Sequence, residues 1–419
     1  MTAAPPPPAA SWRRHRRDVL LFLLAVGCLG AAGGIFESTF NNYLDDTFEM
    51  SAEDRGILEL PREFPGFMVS LVSGVLFFLG ETHLAVLAAG LTGLGLAGLG
   101  VLAGGSYGHM IVWMVVWSSG IHLMIPTQES IALDLAKGER RGEMLGKVGA
   151  AGAVAMVVGC VAVWFNFAVI GRTYGTTFVI AAVSAAVASL ILSRLASADI
   201  HTGQRPKLVL RKRYWLYYLL SSLFGARKQI FITFGVWVLI RVYEQPAQTI
   251  AILWIISTTG SVIFRPLIGR LIDRVGERLV LVADGGMLFL VCVGYGFAEV
   301  YLPARMALYV VCACYVFDQM LFTVGMARST YLAKIAQRKS DIGASLRAGV
   351  SINHAVSIPI AMVGGRIWEA TNYHILFAGA AVLALLISLV SSLVRTPGGA
   401  VPLPVPEEEL AVETGLVGN

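Results

Sequence analysis

The sequence predicts an all-α membrane protein with twelve transmembrane helices in two six-helix pseudo-repeats, and three observations carry that prediction. Of the 419 residues, 56% are hydrophobic and 14% charged, with a mean hydropathy of +0.71, whereas soluble domains carry roughly a quarter of their residues as charges. A bilayer core takes about 20 apolar residues per helix, so the length suits roughly twelve spans with short connections. Finally, residues of the first half recur in order in the second. The 45 glycines suit the same class, because helices in lipid associate through small residues that let backbones approach.

The elements follow in order. Residues 1–17, with four consecutive prolines at Pro5 to Pro8, read as a low-complexity, disordered cytoplasmic tail. The apolar run from Asp18 to Tyr43 follows a basic cluster, as a signal peptide would, but it is too long for one, so it is a retained first helix. Breaks near Asp45–Arg55, Glu81–His83, Gly104–His109, Lys137–Glu143 and Gly171–Tyr174 divide residues 18–196 into six helices. A cytoplasmic linker spans 197–213. Breaks near Tyr243–Gln248, Asp273–Arg278, Glu299–Arg305, Gln337–Asp341 and Glu369–Tyr373 give six more over 214–395, before a second disordered cytoplasmic tail at 396–419.

Lys and Arg concentrate on the cytoplasmic side of membrane proteins. The connections on the side of the tails hold the Arg13–Arg17 cluster, Lys137, Arg140, Arg141, Arg205, Lys207, Arg211 to Arg213, Arg274, Arg278, Arg338 and Lys339, against Arg55, Arg172, Arg241 and Arg305 on the other. Both termini are therefore expected in the cytoplasm, in a plasma (inner) membrane. The formal charge of +5 orients the chain against the lipid bilayer and implies no nucleic-acid partner. Five cysteines lie scattered in apolar runs, with Cys312 and Cys314 pointing to nearly opposite sides of a helix. No disulfide framework, metal site or cofactor is expected.

The repeat is visible residue by residue. Gly30, Ala31, Ile35 and Phe36 recur 195 positions later as Gly225, Ala226, Ile230 and Phe231. Gly74 recurs as Gly269, Gly80-Glu81 as Gly276-Glu277, and Leu135-Ala136-Lys137 with Gly146 as Leu332-Ala333-Lys334 with Gly343. Four matches in order at nearly constant offset argue for duplication, and parallel halves characterise one large class of secondary transporter.

After the eighth apolar segment stands Gly269-Arg270-Leu271-Ile272-Asp273-Arg274-Val275-Gly276-Glu277-Arg278. Glycines permit a tight turn there, and Asp273 suits a helix N-terminus while the arginines suit carboxylate partners. The segment resembles the G-x-L-x-D-R-x-G-R-R signature of the major facilitator superfamily. With the duplicated pattern, the resemblance covers residues 18–395. It implies a transporter of a small molecule, working by alternating access, with Gly269, Asp273, Arg274, Gly276, Arg278 and Arg338 in a cytoplasmic gate; a monomer is expected, with the oligomeric state left open by the sequence. The first-half copy, Gly74 to Glu81, lacks the Asp, which implies a weaker latch. The fifth helix lacks the Gly-Pro of the proton-coupled drug-exporter signature, which argues against drug efflux.

Enzyme motifs fit poorly. Gly104-Gly105-Ser106-Tyr107-Gly108 spells the nucleophile elbow of hydrolases, but that motif needs a preceding strand, and here it is a short turn between apolar helices. A membrane hydrolase using Ser106 and a non-transporting receptor or assembly factor remain as alternative readings. Gly142 to Lys147 is a residue short of a phosphate loop, and Val148 stands where Ser or Thr is needed.

Charges inside spans are costly and mark functional sites. The cavity candidates are Glu37, Asn41, Arg62, Glu63, His122, Glu129, Arg227, Lys228, Asp318, Arg347 and His354. Glu37 with Asn41, His122 with Glu129, and Arg347 with His354 each share a helix face. Arg62 and Glu63 lie between Pro61 and Pro65, which are expected to interrupt the second helix. Arg227 and Lys228 put adjacent positive charges at membrane depth, to be met by an anionic or amphipathic solute or by a carboxylate such as Asp318. Glu37, Glu129 and Asp318 are the proton-coupling candidates, because apolar surroundings disfavour an ionised acid.

Overall fold

The computed structural model describes residues 9–75, 79–136, 141–171, 173–195 and 210–395. The expected tails at 1–8 and 396–419, most of the central linker, the basic connection at 137–140 and part of the first-half gate motif lie outside the described residues. Among the described residues there is no strand.

The first half comprises α1 (Ala9–Phe48), α2 (Ala52–Ile57), α3 (Glu59–Val75), α4 (Glu81–Val101), α5 (Tyr107–Leu135), α6 (Arg141–Phe165) with a π-helical turn at Asn166–Ile170, and α7 (Tyr174–Leu192). The second comprises α8 (Trp215–Ile230), π-helical turns at Phe231–Gly235 and Val238–Val242, α9 (Ala247–Tyr301), α10 (Ala304–Leu321), α11 (Met326–Ile335), α12 (Lys339–Ala370) and α13 (Tyr373–Ser391). Ten helical stretches among the described residues are long and apolar enough to cross a membrane. One of them is α9, whose 55 residues would run about 80 Å, nearly twice a bilayer's thickness. It breaks at Gly276, where φ is 82°, so it serves as two spans, as the glycine-rich motif predicts. With the α2–α3 segment, the architecture is consistent with twelve.

Several boundaries differ from the sequence reading. Helix α1 reaches back to Ala9, so the basic cluster continues the first helix rather than preceding it. The prolines do not interrupt the second span. The break falls at Leu58, Pro61 occupies the first turn of α3, where a missing N–H costs nothing, and α3 continues through Pro65. Arg55, assigned from sequence to an exterior loop, lies in α2 and pairs with Glu59 at 2.5 Å, with side-chain exposures of 1% and 0%.

The chain packs as two compact units that are not contiguous halves. The first is residues 1–50, 61–203 and 244–262, and the second is 51–60, 204–243 and 263–419. In the first, α1 packs on α6 and α7, and α4 on α5 and α7; in the second, α8 packs on α12 and α13, and α2 on α12. The duplication is visible in these contacts. Gly30 abuts the Gly152 backbone, and its counterpart Gly225 abuts that of Asn353. Ser189 Oγ donates to the Val86 carbonyl at 3.0 Å, and Ser388 Oγ to that of Val282 at 2.9 Å. Thr173 and Asn372 cap α7 and α13, and the tyrosine after each, Tyr174 or Tyr373, donates to a carboxylate, Asp46 or Glu299.

Close helix approach gives a direct prediction. A Cβ on Gly34 would run into the Met156 carbonyl oxygen of α6, a backbone atom that cannot swing away, whereas one on Gly379 meets nothing within 4 Å. Gly34→Ala is therefore expected to cost about 1–3 kcal/mol and Gly379→Ala nothing measurable. Thermal unfolding of the two purified variants checks the contrast, and equal midpoints would contradict it.

Candidate functional site

The second unit buries a cluster of charges drawn from four helices. Arg227 lies in the last turn of α8, just before the π-helical turn at Phe231–Gly235. Its Nη2 is 3.1 Å from Asp318 Oδ1 on α10, and its Nη1 is 3.4 Å from Asp284 Oδ2 on α9. Side-chain exposures are 1% for Arg227, 2% for Asp318 and 8% for Asp284. Aromatic faces complete the surround: the Arg227 guanidinium lies 5.0 Å from the Phe322 ring centre, and that of Arg328 on α11 lies 3.4 Å from the Phe224 centre. Arg328 also attracts Asp284. Two cations and two carboxylates thus balance, which is the condition for charge to survive out of water.

The balance in charge is not matched in hydrogen bonds. Arg227 Nε, Asp284 Oδ1 and the nearby Tyr295 hydroxyl are buried with no hydrogen-bond partner among the described residues. A purely structural ion network normally satisfies every member, since an orphaned buried polar atom costs about 1–3 kcal/mol. The cluster therefore keeps hydrogen-bonding capacity that its own members do not use.

In the first unit, Ser118 Oγ donates to the Arg62 carbonyl, and His122 Nδ1 lies 3.1 Å from Ser118 Oγ and 2.9 Å from the Ser118 carbonyl. This joins α3 to α5 and brings His122 to the Arg62 backbone. Arg62 and Glu63 are buried; Glu37 and Asn41 are half-buried on α1, and Glu129 is exposed. Next to Asn41, the buried Asn42 donates to the Gln245 carbonyl at 2.9 Å.

Elsewhere in the second unit, Lys228 and His354 are half-buried and Arg347 is exposed. Adjacent residues on a helix point about 100° apart, so Arg227 enters the cluster and Lys228 does not. Of the residues expected at the gate, Gly276 is the turn itself and Gly269 lies in the helix before it, while Asp273, Arg274, Arg278 and Arg338 are exposed and make no ion pair among the described residues. The tie across this turn is instead Glu277, fully buried, with Lys334 Nζ at 2.7 Å. It is an ion pair rather than a hydrogen bond, because neither Glu277 oxygen has an aligned donor. A double-mutant cycle of Glu277→Gln with Lys334→Met is expected to give a coupling above about 1 kcal/mol, and one of Asp273 with Arg338 to be additive within about 0.5 kcal/mol. The reverse ranking would restore Asp273–Arg338 as the latch. Ser106 is the cap of α5, its Oγ accepting from the His109 amide, between two left-handed glycines and the helix.

Sequence reasoning missed Asp284, Arg328, Glu277 and Lys334 as site residues. Asp284 stands six residues after Arg278, in Val282-Ala283-Asp284-Gly285-Gly286, and reads as the edge of a loop. Its signal was the paired glycine: Gly285 brings α9 against the backbone of Ser388 on α13, which places its neighbour inside the bundle.

The sequence profile of the Major Facilitator Superfamily matches residues 63–341, about two thirds of the chain. Curated proteins give no significant sequence match. Among solved structures, the nucleoside transporter NupG is similar with a TM-score of 0.72 at 14% identity, covering 89% of this chain and 98% of that one. A POT family transporter in complex with 5-aminolevulinic acid gives 0.69 at 12% identity, covering 89% and 95%. A D-xylose-proton symporter gives 0.69 at 12% identity, covering 91% and 98%. Identities this low establish a common fold.

Proposed function

The chain belongs to the major facilitator superfamily, and from that premise we propose that this multi-pass membrane transporter moves a small polar solute by alternating access, coupled to protons through Asp318. The observation that carries the reading is Arg227, fully buried, shared by Asp318 and Asp284 in a network with unsatisfied atoms. With both acids ionised, Arg227 is committed to them. A proton on Asp318 removes one claim on the guanidinium and frees an N–H for a solute oxygen or anionic group, so that proton and solute occupancy are linked. The similar folds named above carry a nucleoside, a 5-aminolevulinic acid complex and D-xylose with protons, which makes these three the first solutes to try. Glu37, Asn41, Arg62, Glu63, His122, Glu129, Lys228, Arg347 and His354 are proposed to contribute to solute recognition. No enzymatic step is part of this function.

The test is a thermal-shift screen of the purified protein against metabolite classes, followed by counterflow of each stabilising solute in proteoliposomes. Ligands that bind the folded state raise its apparent stability. At least one class is expected to stabilise the protein and to exchange across the membrane. A folded protein that moves no solute would support the receptor or assembly reading instead.

Orientation is proposed with the gate motif and both termini in the cytoplasm. In a cysteine-free background, Arg278→Cys is expected to react with an impermeant maleimide only from the cytoplasmic side, and Asp54→Cys, also exposed, only from outside. Labelling of both from one side would contradict the topology.

A further inference from the structure

We propose that the first unit carries a binding site for one anionic phospholipid, its headgroup held by Arg16 and His15 and an acyl chain laid along α1. Two adjoining cavities make the site. The first, of about 380 Å³, is lined by His15, Arg16 and Leu20 of α1 together with Met144 and Lys147 of α6. The second, of about 470 Å³, shares Leu20 and continues along α1 past Leu24, Gly27 and Ala31, with Ala151 of α6 and Ser184 of α7 as its walls. The first is charged and the second apolar, and they are end to end.

Spacing makes the track continuous. Arg16, Leu20, Leu24, Gly27 and Ala31 follow one another at four- and three-residue intervals, so they form one stripe of the helix. From Arg16 to Ala31 the stripe rises about 22 Å, which matches half of a roughly 30 Å hydrocarbon core plus a headgroup. Gly27 and Ala31 leave the groove open where larger residues would fill it, and Leu20 and Leu24, each 59% exposed, present its apolar rim. The Ser184 hydroxyl is taken by the Cys28 carbonyl at 2.8 Å, so this wall presents a satisfied, effectively apolar surface.

Charge selects the headgroup. Arg17 is paired with Asp18 at 3.0 Å and Lys147 with Glu143 at 2.7 Å. Arg16 is exposed and makes no ion pair among the described residues. The headgroup pocket therefore carries a net positive charge beside a membrane-facing groove, which is the pattern that attracts a phosphodiester lipid bearing a net negative charge. A zwitterionic headgroup would bring its own cation into the same pocket and gain less.

The experiment is native mass spectrometry of the full-length, delipidated protein in detergent, with equimolar dioleoyl-phosphatidylglycerol and dioleoyl-phosphatidylcholine added. Phosphatidylglycerol is expected to be retained about fivefold more. Arg16→Ala is expected to remove that preference, while Arg14→Ala, exposed outside the pocket, keeps it. Gly27→Leu, where a Cβ meets only Ala155 Cβ at 3.8 Å, is expected to fill the groove and lower phosphatidylglycerol retention without altering charge. Glycerol phosphate in excess is expected not to displace the lipid. Arg16→Gln and Gly27→Val repeat each arm, with thermal unfolding in phosphatidylcholine confirming that every variant compared is folded. Equal losses for Arg14→Ala and Arg16→Ala, full retention in the filled-groove variants, or displacement by glycerol phosphate would each overturn the site.

Discussion

Asp318→Asn is expected to abolish accumulation of solute against its gradient while leaving exchange across the membrane intact. For one proton per solute, a gradient of one pH unit, about 1.4 kcal/mol, sustains up to about tenfold accumulation. In the variant the ratio is expected to fall to about one. The reason is local. Asn keeps the size of Asp318 and can still accept from Arg227 Nη2, 3.1 Å away in the parent, but it has no charge to lose, so the guanidinium no longer alternates between a carboxylate and the solute. Binding and exchange do not require that alternation. Glu37→Gln and Glu129→Gln are expected to retain accumulation. Proteoliposome uptake under an imposed pH gradient distinguishes the three, and accumulation surviving in Asp318→Asn would assign the proton step elsewhere.

Arg227→Leu is expected to cost about 3–5 kcal/mol of stability, the usual effect of removing one partner from a buried ion network. Without the guanidinium, Asp284 and Asp318 share one apolar site with a single remaining cation, Arg328, which lies over the Phe224 ring. Neutralising the surplus acid with Asp318→Asn in the Arg227→Leu background is expected to recover much of the loss, because Asp284 then faces the one remaining cation, Arg328. The exposed Arg347→Leu is expected to stay within about 0.5 kcal/mol. Thermal unfolding of the four proteins measures this, and an Arg227→Leu variant as stable as Arg347→Leu would mean that the buried pairings contribute nothing.

Much of the fold was legible because membrane helices advertise themselves by run length and by what interrupts the runs. The break at Gly276 was readable from its glycine and flanking charges, and the repeat from Gly30 and Gly225, whose packing roles match. The helical start at Ala9 was not, because the prolines and arginines of the N-terminus read as a solvated tail. Arg55 was misassigned for a related reason: charge reads as exposure, and an i,i+4 partner such as Glu59 makes burial tolerable only once both side chains face inward.

Two members of the buried cluster were legible in the sequence, and their pairings were not. Arg227 and Asp318 stood out as charges in apolar helices, yet whether they meet depends on the rotation of α8 and α10, which hydropathy does not encode. The same limit hid Asp284 and turned attention from Glu277 to Asp273. A charge within two turns of a loop can face water or the bundle, and only the packing of α9 decides.

Proton movement during solute entry is the direct readout of coupling through the Arg227–Asp318 pair. In lightly buffered proteoliposomes carrying the parent protein, addition of the transported solute is expected to make the external medium more alkaline as protons enter with it. Asp318→Asn liposomes are expected to exchange labelled solute with no pH change. Solute uptake by the parent at normal rate with no proton movement would contradict coupling through the Arg227–Asp318 pair.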